Sequence, residues 1–147
     1  MLTCTFFGSK DTSTNIESKL YSIIVDLITN KKVYTYYVGN NGNFDSIVAN
    51  TLKKLKSKYP CINYYIILAY PPYKKVQLYN QDFSNTIFPE DLTNTPPRYA
   101  IVNRNKWMIE KSDYVITYVN NPFGNTIKFK SLSLQKGKIV IDLTDYA

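Results

Sequence analysis

Two small-residue turns carry the chemistry that this chain offers. Gly39-Asn40-Asn41-Gly42-Asn43 follows the run Tyr34–Val38, and Asn121-Pro122-Phe123-Gly124-Asn125-Thr126 follows the run Tyr114–Val119. Each run reads as a buried strand, and each turn leads into residues with helical period. A small-residue turn that feeds a helix leaves the first backbone N–H groups unpaired at the positive end of the helix dipole. That is a ready cradle for phosphate or another anion. Two such turns in one α/β chain predict a pocket for a nucleotide-like ligand.

Missing residue types limit the chemistry further. The chain has no His, and its cysteines are Cys4 and Cys61 alone. An imidazole general base, a triad built on one and a metal site of the Cys/His kind are therefore excluded. No metal and no cofactor is expected, and two cysteines do not make a disulfide framework. Both fall at strand starts, where buried, inert thiols are expected.

The elements that must position the turns follow from hydrophobic period. Leu2 to Phe7 reads as a first strand ending at Gly8. Ser9–Ser13 is a polar turn, and Thr14 with Glu17 matches a capping box for the next helix. Ile16, Leu20, Ile23, Ile24, Leu27 and Ile28 then keep helical spacing, and Asn30-Lys31-Lys32 ends that helix. Val33–Val38 is the second strand. After the first turn, Phe44, Ile47, Val48, Leu52 and Leu55 again have helical period, stopped by Tyr59-Pro60. Ile62 to Ala69 is apolar and aromatic almost throughout, as a parallel strand covered on both faces would be.

Between Tyr70 and Pro97 the pattern fails: prolines at 71, 72, 89, 96 and 97 interrupt it, and Asn, Asp, Ser and Thr dominate. A binding loop or lid is expected there, with Tyr70, Tyr73 and Tyr79 able to stack on a base or to pack the loop on the body. Order returns with a helix over 98–111, a strand over 113–119, a helix from Thr126 to about Gln135 with Gly137 as its C-cap, and a strand over 138–143. Strands and helices alternate, which predicts an α/β, Rossmann-like, doubly wound and mainly parallel sheet in a single domain over 1–147.

Composition agrees with that reading. At 147 residues, with 44% hydrophobic and 20% charged residues, the chain fits one globular domain. No apolar run approaches the roughly 18 residues of a membrane span, and Met1 to Gly8 lacks the basic region and cleavage site of a signal peptide. A cytoplasmic setting and no membrane partner are expected. The formal charge is +7, which attracts polyanions. Yet Lys53, Lys54, Lys56 and Lys58 spread around a solvated helix side, and Lys74-Lys75, Lys128, Lys130, Lys136 and Lys138 form no single platform. The wealth of Asn, Lys, Ile and Tyr also fits the bias of an AT-rich genome.

Four segments, in order, resemble the YpsA-type branch of the SLOG superfamily. Thr3-Cys4-Thr5-Phe6-Phe7-Gly8-Ser9-Lys10-Asp11 is similar to its opening strand and turn. Val38-Gly39-Asn40-Asn41-Gly42-Asn43-Phe44-Asp45 is similar to its second-strand loop. Asn103-Arg104-Asn105-Lys106-Trp107-Met108-Ile109-Glu110-Lys111-Ser112-Asp113 resembles its Arg-Asn-x-x-Met-Val-Asp-x-Ser-Asp segment. Pro122-Phe123-Gly124-Asn125-Thr126 resembles its Gly-Gly-Thr loop, with Gly137-Lys138 before the last strand. The resemblance spans nearly the whole chain.

It implies a Rossmann-like domain that binds nucleotides or nucleotide-derived ligands at the carboxyl ends of its strands. Similar domains include phosphoribohydrolases of the Lonely Guy type, single-strand DNA-binding recombination proteins and sensors of cyclic ADP-ribose-type signals in antiphage defence. On this basis Gly8, Ser9, Lys10, Gly39, Asn40, Asn41, Gly42, Asp45, Arg104, Asn105, Gly124, Asn125 and Thr126 are the candidate ligand contacts. Gly39, Gly42 and Gly124 would admit phosphate to the backbone, and Thr126 would add a hydroxyl. Arg104 is the candidate phosphate or carboxylate clamp, with a surface ion pair as its plainer role. Asp45 either accepts from a ribose hydroxyl or caps its own helix.

Two departures from the family matter. Its Gly-His-Arg turn is Gly8-Ser9-Lys10 here. Where the phosphoribohydrolases carry acids after Gly-Thr, Thr126 is followed by Ile127-Lys128-Phe129-Lys130, so the groups that would assist glycosidic cleavage are absent. Glu110, the nearest acid by motif, is expected to cap or pair locally. No catalytic residue is assigned. The favoured reading is a binding module for a nucleotide-derived ligand, a sensor or a sponge that sequesters an immune signal. Without room for an effector domain, the sponge fits better, as a phage-encoded anti-defence protein would, and a homodimer is expected. The alternatives are a phosphoribohydrolase with displaced acids and a single-stranded nucleic-acid binder.

Overall fold

The computed structural model describes residues 1–71 and 85–145, with position 14 described by its backbone. Its strands are β1 (Leu2–Gly8), β2 (Val33–Val38), β3 (Asn63–Ile67), β4 (Thr86–Ile87), β5 (Tyr114–Tyr118) and β6 (Ile139–Asp142). Its helices are α1 (Glu17–Thr29), α2 (Asn43–Lys58), α3 (Ala100–Glu110) and α4 (Asn125–Gln135). The strands form one sheet in the order β4-β3-β2-β1-β5-β6, and every neighbouring pair is parallel.

The burial of β1 shows why the sheet is covered on both faces. Thr3 to Phe7 are all buried. Side chains alternate along a strand, so Cys4 and Phe6 enter one apolar cluster while Phe7 enters another. The same split places Tyr114 and Ile116 of β5 in the first cluster and Val115 in the second. Helices α1 and α2 close the first face through Leu20, Ile24, Leu27, Phe44, Val48 and Leu52. Helices α3 and α4 close the second through Met108, Ile109, Phe129 and Leu132. This is the expected Rossmann-like, doubly wound α/β architecture.

The chain steps from β1 through β2 and β3 to β4, then returns as β5 on the other side of β1. Strand order therefore reverses between β1 and β5. In open α/β sheets the helices on either side diverge at such a reversal, leaving a crevice beyond the carboxyl ends of the strands.

Several local expectations are corrected. The segment over 70–97 is not structureless where it is described: Thr86–Ile87 adds a sixth strand beside β3, with Ile66 N–H donating to Asn85 O and Leu68 N–H to Ile87 O, both at 2.8 Å. Two residues are too few to show a period of two. Tyr73 and Tyr79 lie outside the described residues, as do Lys74 and Lys75. The capping box expected at Thr14 and Glu17 rests on a Thr14 side chain that lies outside what is described. A 3-10 turn over Thr14–Ile16 precedes α1, buried Ile16 takes the cap position without a side-chain bond, and Glu17 pairs with Lys54 at 2.8 Å. Cys4 is buried, but Cys61 is exposed in the turn before β3. Lys56 is not a free solvated lysine: its Nζ donates to the carbonyls of Pro60 and Ile62 and ties the α2–β3 turn. Gly137 matches expectation. It has φ +75°, its N–H bonds Leu134 O, and Lys138 N–H bonds Ser133 O, closing α4 with a Schellman motif.

The end of β1 depends on a close approach. A Cβ on Gly8 would lie 2.2 Å from Cγ of Phe44, the buried first-turn residue of α2, well inside van der Waals contact. Gly8→Ala should therefore cost about 1–3 kcal/mol through overpacking, read as a lower urea midpoint with unchanged slope. An unchanged midpoint would show that α2 does not press on β1.

Candidate functional site

A cleft of about 700 Å³ opens at the β1/β5 reversal, beyond the carboxyl ends of β1, β2 and β5. Eleven of the thirteen residues named from the sequence line it: Gly8, Ser9 and Lys10 after β1; Gly39, Asn41 and Asp45 after β2; Arg104 and Asn105 on α3; Gly124, Asn125 and Thr126 at the start of α4. The other two stand behind the wall. Asn40 Oδ1 accepts from Arg104 at 3.1 Å, and Gly42 lies so close to Lys10 that a Cβ would sit 2.8 Å from its Cα.

The sequence did not reveal the floor. Phe7 and Phe129 stack with ring centroids 5.3 Å apart, and both line the cleft with Met108 and Leu132. These residues carry the same apolar signal as the core, so their position at the open end of the sheet is invisible until the topology is known. Lys106 and Lys128, also unforeseen, join Lys10 at the cleft, and none of the three forms an ion pair among the described residues.

Arg104 is neither a surface ion pair nor a freely offered clamp. It is 2% exposed, and its guanidinium is held by neutral oxygens: Nε donates to Asn105 Oδ1 at 2.7 Å, Nη1 to Asn40 Oδ1 and Ile67 O at 3.1 Å each, and Nη2 to Asn41 Oδ1 at 2.8 Å. Four of its five N–H donors are thus engaged within the chain. They pin the β2–α2 turn to α3 and to the end of β3. Burial pulls the guanidinium below its ordinary value, opposed by the Asp45 carboxylate nearby.

The two turns at helix starts are not equivalent. In the first, Asn41 N–H donates to Asp45 Oδ2 at 2.9 Å and Asn43 N–H to Lys10 O at 3.1 Å. The cradle before α2 is closed by the chain's own acceptors, one of them a carboxylate. In the second, Gly124 takes the cap position of α4 with φ −82° and ψ 175° and no side-chain cap bond. The first-turn N–H groups of α4 have no intrahelical partner by geometry. They face a residue whose added Cβ would meet nothing nearer than Asn121 O at 3.5 Å. Gly124 therefore has neither a positive φ nor crowding within the chain to require a glycine there.

Asp11, from the first of the four segments, is exposed and lines the cleft, whereas Glu110, Asp113 and Asp142 have structural partners. Glu110 is exposed and pairs with Lys136 at 3.2 Å, which together with its hydrogen bond holds the carboxyl low. Asp113, in the turn before β5, accepts from Thr3 N–H at 2.9 Å and so fixes the opposite end of the sheet. Asp142, at the end of β6, is buried; burial alone would raise it, but bonds from Thr144, Thr117 and Lys130 outweigh that and hold it low. Among the described residues, no helix is long and apolar enough to cross a membrane, and no group of three or more His, Cys, Asp or Glu could hold a metal ion.

No protein-family model and no curated protein matches this sequence. Among solved structures, the chain is similar to DNA processing protein A (DprA) from Streptococcus pneumoniae, with a TM-score of 0.71 and 12% sequence identity. The match covers 97% of this chain and 50% of that one, so the chain spans about half the length of the DprA chain. At that identity the likeness shows the fold alone: a Rossmann-like, parallel α/β sheet.

Asp45 gives the site a pH signature. Burial raises its carboxyl above the ordinary value of 3.8, against the opposing Asn41 N–H bond and Arg104 charge. A folded-state value above the unfolded one means that the folded chain binds the proton more tightly, so ionisation costs stability. Stability contributed here falls as pH rises from about 3.8 through the folded-state value, then levels. Asp45→Asn keeps an acceptor for Asn41 N–H and removes that slope. Its stability relative to wild type, from urea melts across pH, should grow as pH rises from about 3.8. Wild type gaining on the variant over the same range would reverse the assignment.

Proposed function

We propose that the cleft holds a nucleotide-derived ligand without turning it over, its anionic group against the start of α4 and its base or sugar on the Phe7/Phe129 floor. The observation that carries this reading is the uncapped start of α4 at a residue with room beside it, opening into a cleft rimmed by Lys10, Lys106 and Lys128. A helix start in that state favours an anion through its N–H groups and dipole. Arg104 supports the site by holding the opposite wall, with one Nη2 N–H left over for a ligand.

On the resemblance to the YpsA-type branch, the ligand class extends to cyclic ADP-ribose-type signals, and the role to sequestration or sensing in antiphage defence by a cytoplasmic homodimer. A phosphoribohydrolase is disfavoured by Lys128, Phe129 and Lys130 where acids would stand. A second reading, single-stranded nucleic acid, is favoured by the fold likeness to a DNA processing protein and by the +7 charge.

Gly124→Asp separates these readings because its two effects have opposite signs. The cap position has extended backbone, so an aspartate there should cap α4 and stabilise the fold by about 0.5–1 kcal/mol. The same carboxylate would occupy the anion's place, weakening a mononucleotide by roughly tenfold or more. Calorimetry with a nucleotide panel, including cyclic ADP-ribose isomers, should show that loss, with Lys53→Ala at an exposed position on α2 unchanged. Equal losses from both variants, with steep salt dependence, would favour diffuse binding of nucleic acid. Incubated nucleoside monophosphates should remain intact; release of free base that disappears in Asp45→Asn would replace the binding module with an enzyme.

A further inference from the structure

Arg104 also sets the polarity of its neighbours. A guanidinium only donates, so each amide that touches it must turn its oxygen inward. Asn105 Oδ1 accepts from Nε at 2.7 Å, Asn41 Oδ1 from Nη2 at 2.8 Å and Asn40 Oδ1 from Nη1 at 3.1 Å. Nε and Nη2 share one edge of the planar fork, an edge that grips a phosphate or carboxylate when it is free. Here that edge is filled by two carboxamides.

The other ends of those carboxamides are not filled. Asn41 and Asn105 both line the cleft, and neither Nδ2 has a hydrogen bond among the described residues. Asn105 is only 8% exposed, yet its Nδ2 is not sealed in. Among the described residues, Ser112 Oγ is the one fully enclosed side-chain polar atom without a partner. The surface that Asn105 keeps therefore includes its amino end, and that end opens on the cleft. Turning the amide over would set N–H against N–H at Arg104, so the polarity is fixed. Asn105 stands one turn from Ile101 and one turn from Met108 on α3, and all three line the cleft. Its donors thus border the apolar floor, where a flat ring would lie.

We propose that Asn105 and Asn41 form a donor pair, oriented by Arg104, that reads the edge of a keto purine (guanine or hypoxanthine) in a phosphorylated ligand. This rests on the nucleotide reading above and narrows it, away from adenine ligands. A keto purine shows two acceptors side by side, O6 and N7, whereas adenine puts an amino donor in place of the first. Adjacent N–H donors match the former; the latter sets donor against donor and leaves a buried amide unpaired. An asparagine reads adenine with both ends of its amide, and at Asn105 the guanidinium has taken the oxygen. Asn105 is the specificity determinant. Arg104 is a positioning residue that acts through the amides it holds.

The test is calorimetry with IMP, GMP, AMP, UMP and CMP on wild type and Asn105→Asp. IMP and AMP carry the same ribose and phosphate, so their ratio cancels whatever a change of charge does to the phosphate. Wild type should bind IMP and GMP at least about tenfold tighter than AMP. Asn105→Asp keeps an oxygen on Arg104 and should stay folded by melting, but it turns a donor into an acceptor. Its IMP-to-AMP ratio should fall to within about threefold of one, or reverse. A second readout needs no variant: in nitrogen-labelled wild type, the side-chain amide signals of Asn41 and Asn105 should shift with IMP. Wild-type binding with a ratio near one, or with AMP, UMP or CMP held tightest, overturns the donor pair and leaves the nucleotide pocket standing. So does a ratio retained in folded Asn105→Asp, or amide signals that stay still while IMP binds. Failure of wild type to bind any of the five removes the pocket reading, and the selectivity with it.

Discussion

A buried guanidinium organises the open end of this sheet. Taking a cation out of water costs several kcal/mol unless its donors are satisfied, and Arg104 meets that cost with neutral oxygens instead of a carboxylate. Those oxygens come from three places: α3, the end of β3 and the β2–α2 turn. Their convergence fixes how far α3 stands from β2 and hence the width of the cleft wall. The bonds run through two adjacent asparagines, so the Gly39–Asn43 turn is shaped as much by Arg104 as by its own glycines.

This constraint explains why two similar turns ended up with different chemistry. The turn before α2 is drawn down on Arg104, which brings Asn41 N–H to Asp45 and leaves its cradle filled from within. Among the described residues, nothing comparable pulls on the turn before α4. There Asn121 organises the loop, accepting from Phe123 N–H through Oδ1 and from Gly124 N–H through its carbonyl, and the helix start has no side-chain cap. One wall of the cleft offers a carboxylate and a pinned cation; the other offers free N–H groups.

Most of the fold was legible in the sequence because its signals are local. Val33–Val38 and Asn43–Lys58 are near-continuous or periodic patterns bounded by turn residues, and the structure places them within a residue or two of expectation. What was not legible depends on distance in space. Arginine is rarely buried, so nothing in the sequence around Arg104 announces that its partners lie more than sixty residues away in Asn40 and Asn41. Lys56 looked like one of four solvated lysines until the turn carbonyls of Pro60 and Ile62 closed on it. Cys61 sat at a strand start on paper, but β3 begins at Asn63 and leaves the thiol outside. The cleft floor was hidden for the opposite reason: Phe7 and Phe129 read as core, and half of that reading is correct.

The placement of acids bears on the proposal that the cleft holds a ligand without breaking it. Glycosidic cleavage needs carboxyl groups that can stabilise developing charge and move a proton at the sugar. Next to α4 the buried carboxylate is Asp142, and it is spent: Thr117, Thr144 and Lys130 all bond to it and keep it ionised, and it does not line the cleft. Lys130 is one of the partners that bind it there. Asp45 remains, but one of its oxygens is committed to Asn41, and Arg104 beside it favours the ionised form against the pull of burial. Asp11, another acid that lines the cleft, is exposed, so among the described residues Asp45 is the cleft carboxylate held in place by the chain's own hydrogen bonds.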